Sequence, residues 1–150
     1  MRTLTVTALA ATGLLGLAPA ASATHANHAG SHLTVTGQAS HLRPVVGEVE
    51  TVRWTVANTG DGHLDHVRLV ASVPTGWIVK DGPGCTHTGT NLRCDLGGLD
   101  AGRRASVQIP MIVHKPLGAV QLRAWATGAV GRLSVPGPET SFRVVVVAHR

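Results

Sequence analysis

Apolar residues in this chain recur at every second position, in short runs cut off by glycine and proline. That rhythm constrains the fold more than any other feature. In an extended strand successive side chains point to opposite faces, so residues two apart share a face. Val52, Trp54 and Val56 fall on one face of the run Glu50–Ala57, with Arg53 and Thr55 on the other. Val67, Leu69, Ala71 and Val73 repeat the pattern opposite His66, Arg68, Val70 and Ser72. The same period runs through Leu33–Thr36, Leu92–Leu96, Val107–Val113 and Val120–Ala126, and Phe142–Ala148 reads as a β-branched final strand. Trp77–Lys80 is a shorter strand, and Val130–Val135 reads as a poor strand or a loop.

What separates these runs is turn chemistry. Gly37 closes the first strand, Asn58–Gly62 is a dense turn signal, and Pro74-Thr75-Gly76 ends the strand before it because proline lacks the ladder N–H. Asp81–Gly84, Gly97–Gly98 and Leu99–Gly102 break the chain again. No window after the leader described below holds a 3.6-residue apolar period free of Gly or Pro, which argues against helices. About seven short strands at this spacing predict an all-β fold, an antiparallel β-sandwich. Only 14% of residues are charged, against roughly 25% in average soluble domains. The 43% hydrophobic content suffices for a packed core.

The first segment sets an expected compartment. Residues 1–23 read as a secretory signal: Arg2 supplies a weak basic n-region, Leu4–Leu17 is apolar and uncharged, and Ala18–Ala23 offers small residues for cleavage after Ala23. Residues 24–31 then form a loose mature N-terminus without hydrophobic periodicity, and residues 32–150 form the sandwich domain. The expected product is secreted, extracellular or associated with the cell wall, and has no membrane attachment after cleavage. In that compartment the two cysteines, Cys85 and Cys94, are read as a disulfide closing a turn-rich loop, since a lone pair lacks the remaining ligands of a zinc site. Losing Arg2 with the leader takes 13 basic residues to 12 against 8 acidic ones, a net charge of +4. The charges are scattered and none interleaves with aromatics, so nucleic acid is not an expected partner. An unidentified protein or a cell-wall polymer is.

Four segments carry a resemblance to a known family. They are Val52–Gly60 (Val-Arg-Trp-Thr-Val-Ala-Asn-Thr-Gly), Val73-Pro74-Thr75-Gly76-Trp77, the Cys85/Cys94 pair, and Gly98-Leu99-Asp100-Ala101-Gly102 leading into the Val107 strand. In this order, from Val46 to about Val113, the chain resembles the prokaryotic Ig-like repeat called the domain of unknown function eleven. The resemblance implies an Ig-like β-sandwich. It also implies a spacer or adhesion role, without catalysis, in bacterial surface and secreted proteins.

Catalytic motifs are missing. The chain holds no G-x-S-x-G elbow, H-E-x-x-H helix or phosphate-binding G-x-x-x-x-G-K-[ST] loop, so no enzyme activity and no cofactor are expected. Glu48 and Glu50 read as solvated charges beside a strand start. Nine histidines stand out. His25, His28 and His32, at i, i+3 and i+7, are the candidate metal ligands, although the tail they occupy is a poor helix and the expectation is that no metal is held. His63 and His66 sit at an exposed turn. Among the aromatics Trp54 is in register with Val52 and Val56 and reads as core. Trp77 and Trp125 are the candidate ligand contacts. Trp125 shares a polar register with Gln121 and Arg123, where an indole can stack on a sugar ring or anchor a partner.

Overall fold

The computed structural model describes residues 32–80 and 84–149. Their regular structure is all strand: β1 (Leu33–Ala39), β2 (Val49–Asn58), β3 (Leu64–Ser72), β4 (Ile78–Val79), β5 (Cys85–Thr88), β6 (Asn91–Leu99), β7 (Arg104–Ile112), β8 (Gly118–Val130), β9 (Leu133–Pro136) and β10 (Thr140–Val146). They form two sheets. The smaller has the order β1-β2-β7-β4. The larger has the order β10-β8-β3-β6-β5, with β9 also paired to β8. Every ladder is antiparallel. The chain is an Ig-like β-sandwich, with ten strands where the sequence pattern suggests about seven. The additions are short: β5 lies inside the stretch read as turn, and β9 resolves the ambiguous Val130–Val135 segment as part of a hairpin with β8.

Alternation explains which faces meet. Val52, Trp54 and Val56 from β2, Leu69 and Ala71 from β3, Ile109 and Met111 from β7, and Leu122, Ala124 and Ala126 from β8 are all buried between the sheets. Trp54 packs against Phe142 with ring centroids 5.3 Å apart and planes tilted by 52°, the inclined geometry that aromatic quadrupoles favour. The first strand does not stop at Gly37. It runs on to Ala39, and Gly37 pairs directly with Trp54. A Cβ there would sit 2.3 Å from Trp54 Cζ3 and 2.5 Å from Phe142 Cε1, so the missing side chain makes room for both rings. In β3 the period slips. Register shifts around Val67 bury both Leu64 and Val67, three residues apart, as a β-bulge allows.

Two polar residues are buried outright. Glu50 is 0% exposed, a correction to the reading of a solvated charge, whereas Glu48 is exposed. Ser40 Oγ donates to Glu50 Oε1 at 2.6 Å, the His41 backbone N–H donates to the same oxygen at 2.9 Å, and His41 Nδ1 lies 3.1 Å from Oε2. Those contacts hold the stretch that leads from β1 towards β2 and offset the carboxylate's lost hydration. Asn58 is equally enclosed. Its Nδ2 donates to the carbonyls of Gly62 (2.7 Å) and Leu99 (3.1 Å), and its Oδ1 accepts from Gly60 N–H at 3.1 Å. Its main chain bonds Arg103 and Gly102. One amide thus ties the β2–β3 connection to the β6–β7 turn.

Two further devices tie the margins. Along the outer side of β10, Val145 and Val147 donate to the carbonyls of Leu42 and Pro44, and Val46 donates back to Val147. A parallel bridge, Val45–Val147, completes this clasp. On the opposite margin of the larger sheet Cys85 and Cys94 are directly paired residues of the β5–β6 hairpin and form a disulfide. The cross-link has a sequence separation of 9, for which chain entropy gives about 2.5–3 kcal/mol of stability. Replacing both cysteines by serine is expected to lower the free energy of unfolding by that amount, read as a lower urea midpoint with an m-value that rises slightly as the unfolded chain is released. An unfolded double variant would show that the bridge does more than restrict the unfolded chain.

Candidate ligand-contact face

The outward residues of the larger sheet form the candidate site. On β8 these are Gln121, Arg123, Trp125 and Thr127; the residues between them point into the core. Pairing sets them in rows across the sheet. Trp125 lies beside Val70 of β3, which lies beside Arg93 of β6, which lies beside Thr86 of β5. The neighbouring row holds Asp95, Arg68, Thr127 and Pro136. Trp125 and Val70 are half-buried, and Arg68, Arg93 and Arg123 are exposed. With strands about 4.8 Å apart and same-face neighbours about 6.8 Å apart along a strand, three guanidinium groups are rooted within two strand spacings of one indole.

Their charges are only partly answered. Arg123 donates to Gln121 Oε1 from Nη2 (2.8 Å) and Nε (3.3 Å), and its Nη1 lies 3.8 Å from Glu139. Asp95 turns one oxygen to the Gly97 N–H at 3.0 Å. Arg68, Arg93, Arg132 and Arg143 form no ion pair among the described residues. Next to Trp125 along β8 an open groove of about 450 Å³ follows the β8–β9 hairpin, lined by His66, Arg68, Asp95, Thr127, Arg132 and Ser134 among others. The face is cationic and carries one aromatic plate.

The other candidates fall elsewhere. Trp77 is 5% exposed and belongs to the core, so its ring offers no surface for stacking; its Nε1–H has no acceptor among the described residues. Trp77 and Trp125 therefore do not share a site. His25 and His28 lie outside the described residues, and His32 is exposed just ahead of β1. His63 Nδ1 sits 2.7 Å from Asp100 Oδ1, and its Nε2 is 3.8 Å from Asp65 Oδ1. Asp65 also accepts from the Gly131 N–H at 2.6 Å, so this exposed network fastens the β8–β9 turn to the start of β3. Among the described residues no group of three His, Cys, Asp or Glu is placed to hold a metal, and no helix is long and apolar enough to cross a membrane.

No protein-family model matches the chain, and no curated protein matches it in sequence. Solved structures match its fold. The major pilin subunit of Bacillus cereus aligns with a TM-score of 0.58 at 10% identity, over 78% of this chain and 40% of that one. A cohesin module from a Clostridium perfringens family 33 glycoside hydrolase aligns at 0.55 and 9% identity, over 81% and 99%. The CARDB domain of a Pyrococcus furiosus protein, solved in complex with di-metal ions, aligns at 0.52 and 15% identity, over 79% and 90%. At such identities the likeness concerns the fold.

Proposed function

We propose that this chain is an exported, non-catalytic Ig-like module of the bacterial envelope or extracellular space that works by contact, through the outer face of its larger sheet. The observation that carries this reading is Trp125, a large aromatic left only half-buried on the outer face of the larger sheet instead of in the core. The apolar leader Leu4–Leu17 and the Cys85–Cys94 bridge support export. A pilin subunit and a cohesin module have the same scaffold, which supports a structural or interaction role. The four segments quoted from Val52 to Gly102 support a place beside the prokaryotic Ig-like repeats.

The test is sedimentation of the mature protein with isolated cell envelopes. Wild type is expected in the pellet and Trp125→Ala in the supernatant, with unchanged circular dichroism. Equal retention of a folded Trp125→Ala protein would remove the sheet face as the contact. Recovery of the secreted protein with Thr24 as its first residue would establish the leader; an intact Met1–Ala23 segment would overturn the export reading.

A further inference from the structure

We infer that the outer face of β8, β3 and β6 binds an acidic polysaccharide, with a sugar ring stacked on Trp125 and the polymer's anionic groups met by Arg93, Arg68 and Arg123. This deepens the contact reading above and rests on it. The argument is charge complementarity around a stacking surface. Arg68, Arg93, Arg123 and Arg143 face outward from this sheet, against the carboxylates of Asp95 and Glu139. One of those carboxylates serves the Gly97 N–H and the other stands beside Arg123. The excess is positive, and Arg68 and Arg93 form no ion pair among the described residues although Asp95 is paired beside Arg68 in the ladder.

Geometry selects a carbohydrate over a folded acidic protein. A protein partner needs a desolvated apolar centre ringed by polar contacts. Here the only apolar surface beside Trp125 in its row is Val70, followed at once by Arg93 and Thr86. An indole face accepts the C–H face of one sugar ring, and a linear chain lies across an open sheet face without needing a deep cavity. Arg93 stands one strand beyond Val70 in the Trp125 row. Arg68 lies diagonally across from Trp125, and Arg123 two residues along β8. Anions spaced along a chain that runs from β8 over β3 to β6 thus meet Arg68 and Arg93 in turn beyond the stacked ring, with Arg123 beside the ring along β8, and the guanidinium fork suits carboxylate oxygens. The groove lined by His66, Arg68 and Arg132 continues the path past Thr127.

Polygalacturonate is the probe, compared by calorimetry with its fully methyl-esterified form and with poly-glutamate. The mature wild-type protein is expected to bind the acid form alone, with affinity falling as salt rises. Trp125→Ala is expected to weaken binding about tenfold, as for the loss of one stacking contact. Arg93→Gln and Arg68→Gln are each expected to weaken it about threefold and to flatten the salt dependence. Arg53→Gln, on the outer face of the smaller sheet, is expected to change nothing. Equal binding of the esterified polymer overturns the acidic assignment. So does binding of poly-glutamate that Trp125→Ala leaves unaltered, which reduces the face to bulk charge. Envelope retention that depends on Trp125, without polygalacturonate binding, also overturns it while leaving the contact reading in place.

Discussion

Gly37→Ala is expected to destabilise the protein by about 3 kcal/mol, although alanine is the better residue for restricting an unfolded chain. The backbone gain is worth about 0.4–1 kcal/mol, and it is overwhelmed by the space the methyl group must take. That carbon would stand 2.3 Å from Cζ3 and 2.6 Å from Cε3 of Trp54, and 2.5 Å from Cε1 of Phe142. Trp54 is 1% exposed and cannot swing outward. Phe142, only half-buried, gives way first. A urea titration of Gly37→Ala, Trp54→Leu and the double variant measures the conflict directly. Shortening Trp54 is costly alone, yet the pair is expected to lose less than the sum of the two single losses. Strict additivity would show that the strand and the rings do not compete for one volume.

Asn58→Asp is expected to cost more, about 3–5 kcal/mol, and more than Asn58→Ala. The amide points two hydrogens at the carbonyls of Gly62 and Leu99. A carboxylate there has no hydrogen to give and sets negative oxygen against both. Alanine leaves those carbonyls unpaired without adding repulsion. Burial disfavours the charged form of the introduced carboxyl, so its pKa in the folded state lies above its unfolded value. The folded protein then binds more protons than the unfolded one, and part of the loss is recovered as pH falls. Denaturation midpoints at neutral and mildly acidic pH check both statements. A midpoint for Asn58→Asp at or above that of Asn58→Ala would refute the assigned bond directions.

The faces of the strands were legible because period two is a property of the extended backbone. Trp54 is in the core, as its register with Val52 and Val56 predicts. Carried two residues further in each direction, the same register places Glu50 and Asn58 inward, and both are buried. Their chemistry argued for solvent and a turn while their position argued for the core, and hydrogen-bond partners from distant segments let position prevail. Gly37 follows the same logic: it occupies an inward place in the Leu33, Val35, Ala39 series, so a break in the strand was the wrong inference from a glycine. Which strands become neighbours was not legible. Arg68, Arg93 and Arg123 meet around Trp125 only because β6, β3 and β8 lie side by side, an order that strand periodicity does not carry. The slip of phase at Val67 was hidden for a similar reason, since a bulge shows itself only against the partner strand.

The clasp from Leu42 to Val46 has a consequence for how these molecules behave in company. Phe142–Val147 is a β-branched, nearly uncharged run of the kind that propagates ordered aggregates when its margin lies open. With Val145 and Val147 already donating to carbonyls of their own chain, the end of that run has no free amides to lend to a stranger. Copies crowded together can stand shoulder to shoulder there without fusing into a common fibre.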